Sequence, residues 1–450
     1  MRDMDTAIEA PKAPADFLPP NKHPIGLYFL FTTEMWERFS YYGMRSILVY
    51  YMMKQLMFAQ EKASNYYGFY TAFTYMTPFL GGIIADRWLG QRKAVILGAL
   101  IMAAGEFMLM SQGLFIPALI VLIIGNGFFK PNISTQVGNL YSEGDHRRDR
   151  AFSIFYVGIN LGSLFSPLVC GTLGEGYGWK WGFCAAGVGM LAGVVVQLFA
   201  QRHLAPDNIM KQAAKAKTSE APAKPAEPLT PEEWKKIGAL VVLCVLNIVF
   251  WATYEQQGNT MALWADNDTN RMIFGWEMPA SWYQAFNPLM IMILTPVVLG
   301  FWRWQEKRKS EPSSIAKMAL GCLLLGGSYL ILLPSATGVA AGGKAGLFPL
   351  TFATLVLTLG ELYLSPVGLS LVTKLAPPRM VSMLMGMWFL SSFFGNYLCG
   401  YLGTFWEKMP HHSFFILLAG LSCGAGLAMF ALIKPLKRAI GHGHEEAVDV

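Results

Sequence analysis

The sequence predicts an all-α integral membrane protein with twelve transmembrane helices arranged as two six-helix bundles. Three observations carry that expectation. Of the 450 residues, 54% are hydrophobic and only 14% charged, where a soluble protein carries about 25% charged residues. Apolar runs of about 20 residues, the length that crosses the hydrocarbon core, recur twelve times along the chain. A polar stretch rich in Ala, Lys and Pro divides them six and six.

In order, the runs lie at 25–57, 65–85, 94–112, 115–139, 151–173 and 182–201, then at 237–263, 281–302, 315–334, 346–374, 380–404 and 412–434. The chain therefore divides into a tail (1–24), a first bundle (25–202), a linker (203–236), a second bundle (237–434) and a second tail (435–450). The opening residues are no cleavable signal, because Asp3, Asp5, Glu9 and several prolines occupy the place of its basic and apolar parts. The linker centre, AKAKTSEAPAKPAEP, reads as flexible chain, and no apolar periodicity supports a folded domain there. Its last residues, Thr230-Pro-Glu-Glu233, have capping-box character with Pro231 at a helix start, an amphipathic lead-in to the seventh run. With the N-terminus in the cytoplasm, 26 Lys and Arg fall on the cytoplasmic side and 6 outside. Arg38, Arg45 and Lys130 inside the runs complete the 35. The positive-inside rule then places both termini in the cytoplasm of a cell membrane, the inner membrane in a bacterium. Cys170, Cys184, Cys244, Cys322, Cys399 and Cys423 all stand in apolar runs and read as small buried hydrophobes, not disulfides or metal ligands. No metal site, catalytic group or nucleic-acid surface is expected.

The chemistry lies in the charges placed inside the runs. Glu34, Glu37, Arg38, Tyr41, Tyr42 and Arg45 follow an i, i+3, i+4, i+7, i+8, i+11 spacing and share one helix face. Each charge at mid-membrane costs about 2.5–3.5 kcal/mol on the lenient insertion scale, so four on one stripe require partners and a water-filled cavity. Lys130 stands in Gly127-Phe-Phe-Lys-Pro-Asn, Asn160 in Phe155-Tyr-Val-Gly-Ile-Asn, and Glu255 after Trp251-Ala-Thr-Tyr254. Asn287 follows Trp282-Tyr-Gln284, and Glu361 precedes Ser365-Pro366. Lys130 with the Glu34, Glu37 and Arg38 cluster reads as a structural ion pair or as a proton switch. Read on Glu34, Glu37, Arg38, Arg45 and Lys130, the first bundle carries +1; Glu255 and Glu361 give the second −2. A cavity between such walls suits a zwitterion, carboxylate toward Arg45 and Lys130, ammonium toward Glu361. Tyr75 gains weight from its depth in the second run, while Trp388 fits an apolar subsite or the core equally well.

Between the second and third runs, Gly82-Ile-Ile-Ala-Asp86-Arg87-Trp-Leu-Gly90-Gln-Arg92 resembles the G-x-x-x-D-R-x-x-G-x-[RK] loop of the major facilitator superfamily. Asp86 and Arg87 can pair and cap neighbouring helix ends there, and Gly90 allows a tight turn. Two six-helix halves around a midplane site are that superfamily's architecture.

Three further segments narrow the resemblance: Glu34-x-x-Glu37-Arg38 with its Phe-x-Tyr-Tyr-Gly-Met-Arg continuation, Phe129–Thr135, and Phe155–Gly162. Together they resemble the proton-dependent oligopeptide transporter family over nearly the whole chain. The resemblance implies a symporter of protons with di- and tripeptides that works by alternating access, needs no cofactor and functions as a monomer. It implies that Glu34, Glu37, Arg38, Lys130 and Glu255 couple the proton, and that Arg45 and Glu255 form a salt bridge between the bundles. Arg45, Lys130 and Tyr42 would hold the peptide carboxylate, Asn160 and Asn287 its backbone, and Glu361 its amino end. Tyr75, Trp388 and Ser392 would line side-chain pockets, and Tyr41, beside Tyr42 on the charged stripe, would join the substrate-binding residues. Two extra helices that many bacterial relatives carry between the bundles have no room in 203–236.

Two other classes are disfavoured. A nitrate or other small-anion carrier would leave Glu361 without a cationic partner. An intramembrane enzyme needs a paired-acid, Ser/Lys or His-metal site, and the histidines at 23, 146, 203, 411, 412, 442 and 444 all fall in loops or tails.

Overall fold

The computed structural model describes residues 13–142, 144–206, 229–377 and 380–440, side chains at 382 and 436–440 excepted. Residues 207–228 of the expected linker, 1–12 of the first tail and 441–450 of the second lie outside the described residues.

Among the described residues twelve long helices form, in the order expected. The first six are α1 (Ile25–Tyr50), α2 (Gln60–Ile84), α3 (Gln91–Leu109), α4 (Phe115–Asn139), α5 (Arg147–Ser166) and α6 (Trp179–Ala200). The others are α7 (Pro231–Tyr254), α8 (Phe286–Lys307), α9 (Ser314–Ile331), α10 (Leu347–Leu375), α11 (Val381–Gly403) and α12 (His411–Ile440). Eight spans among the described residues are long and apolar enough to cross a membrane; α1, with its four charges, is not one of them. The helices outrun the apolar runs where polar residues cap them. In α7 the Thr230 hydroxyl accepts from the Glu233 amide at 3.2 Å and the Glu233 carboxylate from the Thr230 amide at 2.8 Å. The lead-in is thus one continuous helix with the span. Gly90 has a φ of 81° between α2 and α3, the left-handed region that glycine enters without strain. There Asp86 Oδ1 accepts from the Gln91 side chain at 3.1 Å, while Arg87 is exposed.

Within the first half α1 packs on α5 and α6, α3 on α4 and α6, and α2 on α4. In the second half α9 packs on α10 and α12, α7 on α11 and α12, and α8 on α10. The halves meet through α2 on α11 and α5 on α8. The α2–α11 crossing is close because both helices place glycine there: a Cβ on Gly68 would stand 2.5 Å from Gly400 Cα.

At the end remote from the chain termini the halves are tied together. The Tyr50 hydroxyl donates to Ala262 O at 2.9 Å and the Ser64 hydroxyl to Asn259 Oδ1 at 2.9 Å. The Glu175 carboxylate accepts from the amides of Ala280 (2.9 Å) and Ser281 (2.8 Å), and Lys54 pairs with Asp266 at 2.5 Å. The α7–α8 connection there contains a small hairpin, β1 (Met272–Ile273) with β2 (Trp276–Glu277). Its turn residues Phe274 and Gly275 both have positive φ, the two-residue geometry that matches strand twist. The sequence reading anticipated no strand.

Candidate functional site

α7 stops being α-helical at the residue that matters most. Its regular turns end at Tyr254, Glu255–Gly258 continue as a 3-10 turn, and a short helix resumes over Thr260–Leu263. A broken span frees backbone groups and turns side chains inward, and such breaks are tolerated where they line a cavity. Here Glu255 points at α1 and pairs with Arg45. The Arg45 Nε donates to the Tyr67 hydroxyl at 2.7 Å, and its guanidinium lies 5.7 Å from the Tyr42 ring centroid. Gly258 makes this packing possible, since a Cβ there would stand 2.0 Å from the Tyr67 hydroxyl.

Beneath that pair a cavity of about 200 Å³ opens between the halves. The first half contributes Tyr42 and Arg45 of α1, Tyr75 of α2, and Tyr156, Asn160 and Ser163 of α5. The second contributes Trp251, Tyr254 and Glu255 of α7, Gln284 and Asn287 at the start of α8, and Glu361 and Ser365 of α10. On the far wall Glu361 Oε2 accepts from the Tyr254 hydroxyl at 2.7 Å and from Asn287 Nδ2 at 3.0 Å. Asn287 Nδ2 also donates to the Thr358 hydroxyl at 3.0 Å, which fixes the amide. No hydrogen bond reaches Glu361 Oε1 among the described residues. The walls therefore present a guanidinium on one side and a fixed carboxylate with one free oxygen on the other.

The structure brings together Tyr42, Arg45, Tyr75, Asn160, Glu255, Asn287 and Glu361 around this space. Glu34, Glu37 and Arg38 form a separate buried cluster behind it. Arg38 Nε lies 3.1 Å from Glu34 Oε1 and also contacts Glu37 Oε2. Glu34 Oε2, Glu37 Oε1 and Arg38 Nη2 have no hydrogen-bond partner there. Tyr41, expected among the substrate-binding residues, does not line the cavity and stacks on Tyr70 at 6.3 Å, the cavity side of α1 being taken by Tyr42 and Arg45.

Three further placements differ from expectation. Lys130 has no ion pair among the described residues; its ammonium lies 4.3 Å from the centroid of the Tyr75 ring, a cation–π contact. It reaches the cavity through Tyr75, while Arg38 contacts one oxygen of each acid it was expected to meet. Trp388 is 3% exposed and belongs to the core, its indole lying where a Cβ on Gly368 would come within 2.2 Å. Ser392 is buried in α11, its carbonyl accepting from Asn396 Nδ2 at 2.9 Å, and neither residue lines the cavity. The small residue at 368 draws the indole into the α10–α11 contact, a pairing invisible without the fold.

The sequence reading quoted but did not select Tyr156, Trp251, Tyr254, Gln284 and Ser365. A signal was present: each stands three or four residues from a selected one, or, for Tyr254, adjacent to it, and so shares a face or turn with it. Glu106, a wholly buried acid on α3, also stands inside a span and was not among the residues singled out.

The sequence profile described as the POT family matches residues 92–221 and 204–417. The chain belongs to the POT family. A peptide transporter of Yersinia enterocolitica is 34% identical to it over 451 residues, covering 85% of this chain and 88% of that protein. A di-/tripeptide transporter of Lactococcus lactis subsp. cremoris is 33% identical, covering 93% of this chain and 97% of that one. Among solved structures, that of a peptide transporter POT in complex with sulfate superposes with a TM-score of 0.84 at 32% identity, covering 94% and 98% of the two chains. POT family members are multi-pass membrane transporters of the major facilitator type and not enzymes.

Proposed function

We propose that this chain imports di- and tripeptides together with protons by alternating access of its two halves, with both termini in the cytoplasm. The observation that carries the reading is the cavity's polarity, Arg45 on one wall and Glu361 on the other. A short peptide is a zwitterion whose charged ends lie on opposite sides of a neutral backbone. Its ammonium fits the free oxygen of Glu361, and Asn160 and Asn287 can meet its amides. The cavity, at about 200 Å³, lies below the roughly 300–1,000 Å³ of drug-sized sites, which suits a few residues and excludes long chains. Contacts made to the ends and backbone leave the choice of side chains broad. The two peptide-transporting relatives support the substrate class.

Proton coupling follows from competition for Arg45. While Glu255 is ionised it holds the guanidinium and ties α7 to α1. A protonated Glu255 no longer attracts it, so Arg45 is released to the peptide carboxylate, with Lys130 and Tyr42 beside it, and the outer end can part. Glu34 and Glu37 around Arg38, with Lys130 close to Tyr75, supply the second titrating group. Each charge crossing the membrane potential is worth about 2.3 kcal/mol per 100 mV. No cofactor takes part, and a single chain contains both walls of the site.

Labelled dialanine uptake into proteoliposomes, with and without an imposed inward proton gradient, tests the proposal. Accumulation that needs the gradient is expected. Uptake indifferent to the gradient, or competed by nitrate and not by unlabelled dialanine, overturns it.

A further inference from the structure

Glu106 lies outside every role assigned so far. It sits on α3 with no exposed surface. Oε1 accepts one long hydrogen bond, 3.4 Å from the Ser40 hydroxyl of α1, and Oε2 has no partner among the described residues. The Ser40 hydroxyl of α1 meets it directly, and the Tyr70 phenol of α2 and the Cys170 thiol of the turn after α5 lie within its electrostatic reach. From α4 and α6 the neighbouring contacts are apolar, Leu122 at Gly105 and Phe107 at Gly187. No Lys, Arg or His among the described residues acts on it.

This sets Glu106 apart from the other acids of the spans. Glu34 and Glu37 share Arg38, Glu255 has Arg45, and Glu361 has two neutral donors and a cavity. Moving an ionised carboxylate into such a site without a cation is far costlier than burying the neutral acid. Glu106 is therefore far better accommodated in its neutral form in this conformation. Its surroundings lead back to the coupling cluster. Ser40 stands three residues from Glu37 on α1, and Tyr70 is within electrostatic reach of both Glu37 and Glu106.

We propose that Glu106 is a second proton-binding site of the first half, holding its proton while the outer end is closed and exchanging it when α1 shifts during the cycle. The hydrogen bond from Ser40 makes α1 the element that senses or changes its protonation. The coupling part of this proposal rests on the proton-driven reading above; the occupancy part does not.

Infrared difference spectra of the purified full chain in detergent, with Glu106→Gln beside the parent, test occupancy. A protonated-carboxyl band at neutral pH that the substitution removes is expected; the same band in both proteins overturns the proposal. The coupling part is read from the pH profile of dialanine counterflow. Ser40→Ala removes a hydrogen bond that favours the charged form, so the half-point is expected to move to higher pH by about half to one unit. An unmoved profile overturns that part, and this variant keeps the test open where Glu106→Gln fails to fold. Parent protein that shows no gradient-driven uptake would instead refute proton coupling itself, a result the infrared measurement does not share.

Discussion

Arg45 and Glu255, separated by 210 residues in the chain, form one buried ion pair between α1 and the broken end of α7. Both residues line the cavity, and on the proposed reading the state of the pair governs its closure. Removing one partner of a buried pair costs about 3–5 kcal/mol, because the other charge is left uncompensated. Glu255→Gln is expected to cut gradient-driven dialanine accumulation at least about tenfold while counterflow exchange persists. Full accumulation by this variant would remove Glu255 from the coupling scheme.

Glu361 is held by Tyr254 and Asn287 so that one oxygen faces the cavity. A charge-assisted hydrogen bond contributes about 1.5–3 kcal/mol. Glu361→Gln should therefore raise KM for dialanine about tenfold to a hundredfold, yet change KM for N-acetylated dialanine little. Equal losses for both peptides would mean that Glu361 does not read the amino end.

Gly258 leaves the space that the Tyr67 hydroxyl fills beside Arg45. A methyl group there pushes Tyr67 away and loosens the outer closure. In Gly258→Ala, a cysteine placed at Ser64, whose hydroxyl otherwise bonds Asn259, should react with an impermeant thiol reagent several-fold faster than in the parent. An unchanged labelling rate would show that the closure does not depend on this packing.

The twelve helices were legible because hydrocarbon thickness imposes one length on every span, and α1's stripe because a 3.6-residue period puts its charges on one face. The cavity's two charged walls could be read from the same rule, since an in-span charge must face water or a partner. What escaped depends on pairings between distant helices. Nothing near Trp388 announces that Gly368 will receive its indole. Nothing near Lys130 says that it will lie over Tyr75 while Arg38 contacts Glu34 and Glu37. Glu106 was missed for a different reason. It lies in a run otherwise apolar, with no second charge to draw the eye, and only its burial in the fold gives it meaning.

Lys130 lies over the Tyr75 ring, which is itself part of the cavity wall. Lys130→Ala removes a positive charge from the side where the carboxylate is expected. KM for dialanine should rise about tenfold, as for loss of one charge-assisted contact, with a smaller rise for the C-terminally amidated dipeptide. Unchanged discrimination between the two would leave Lys130 with a role in the proton step alone.

Trp388 distinguishes a core residue from a pocket residue. Its indole is buried against Gly368 and away from the cavity, so its removal leaves a void between α10 and α11. Trp-to-Ala replacements in packed cores cost about 3–5 kcal/mol. Trp388→Ala should therefore lower the thermal unfolding temperature of the purified protein clearly. Its KM values for dialanine and for diphenylalanine should keep the ratio they have in the parent, because no cavity wall has moved. A selective change toward the bulkier peptide with stability intact would instead return Trp388 to the substrate site, reached in a conformation other than the outer-closed one.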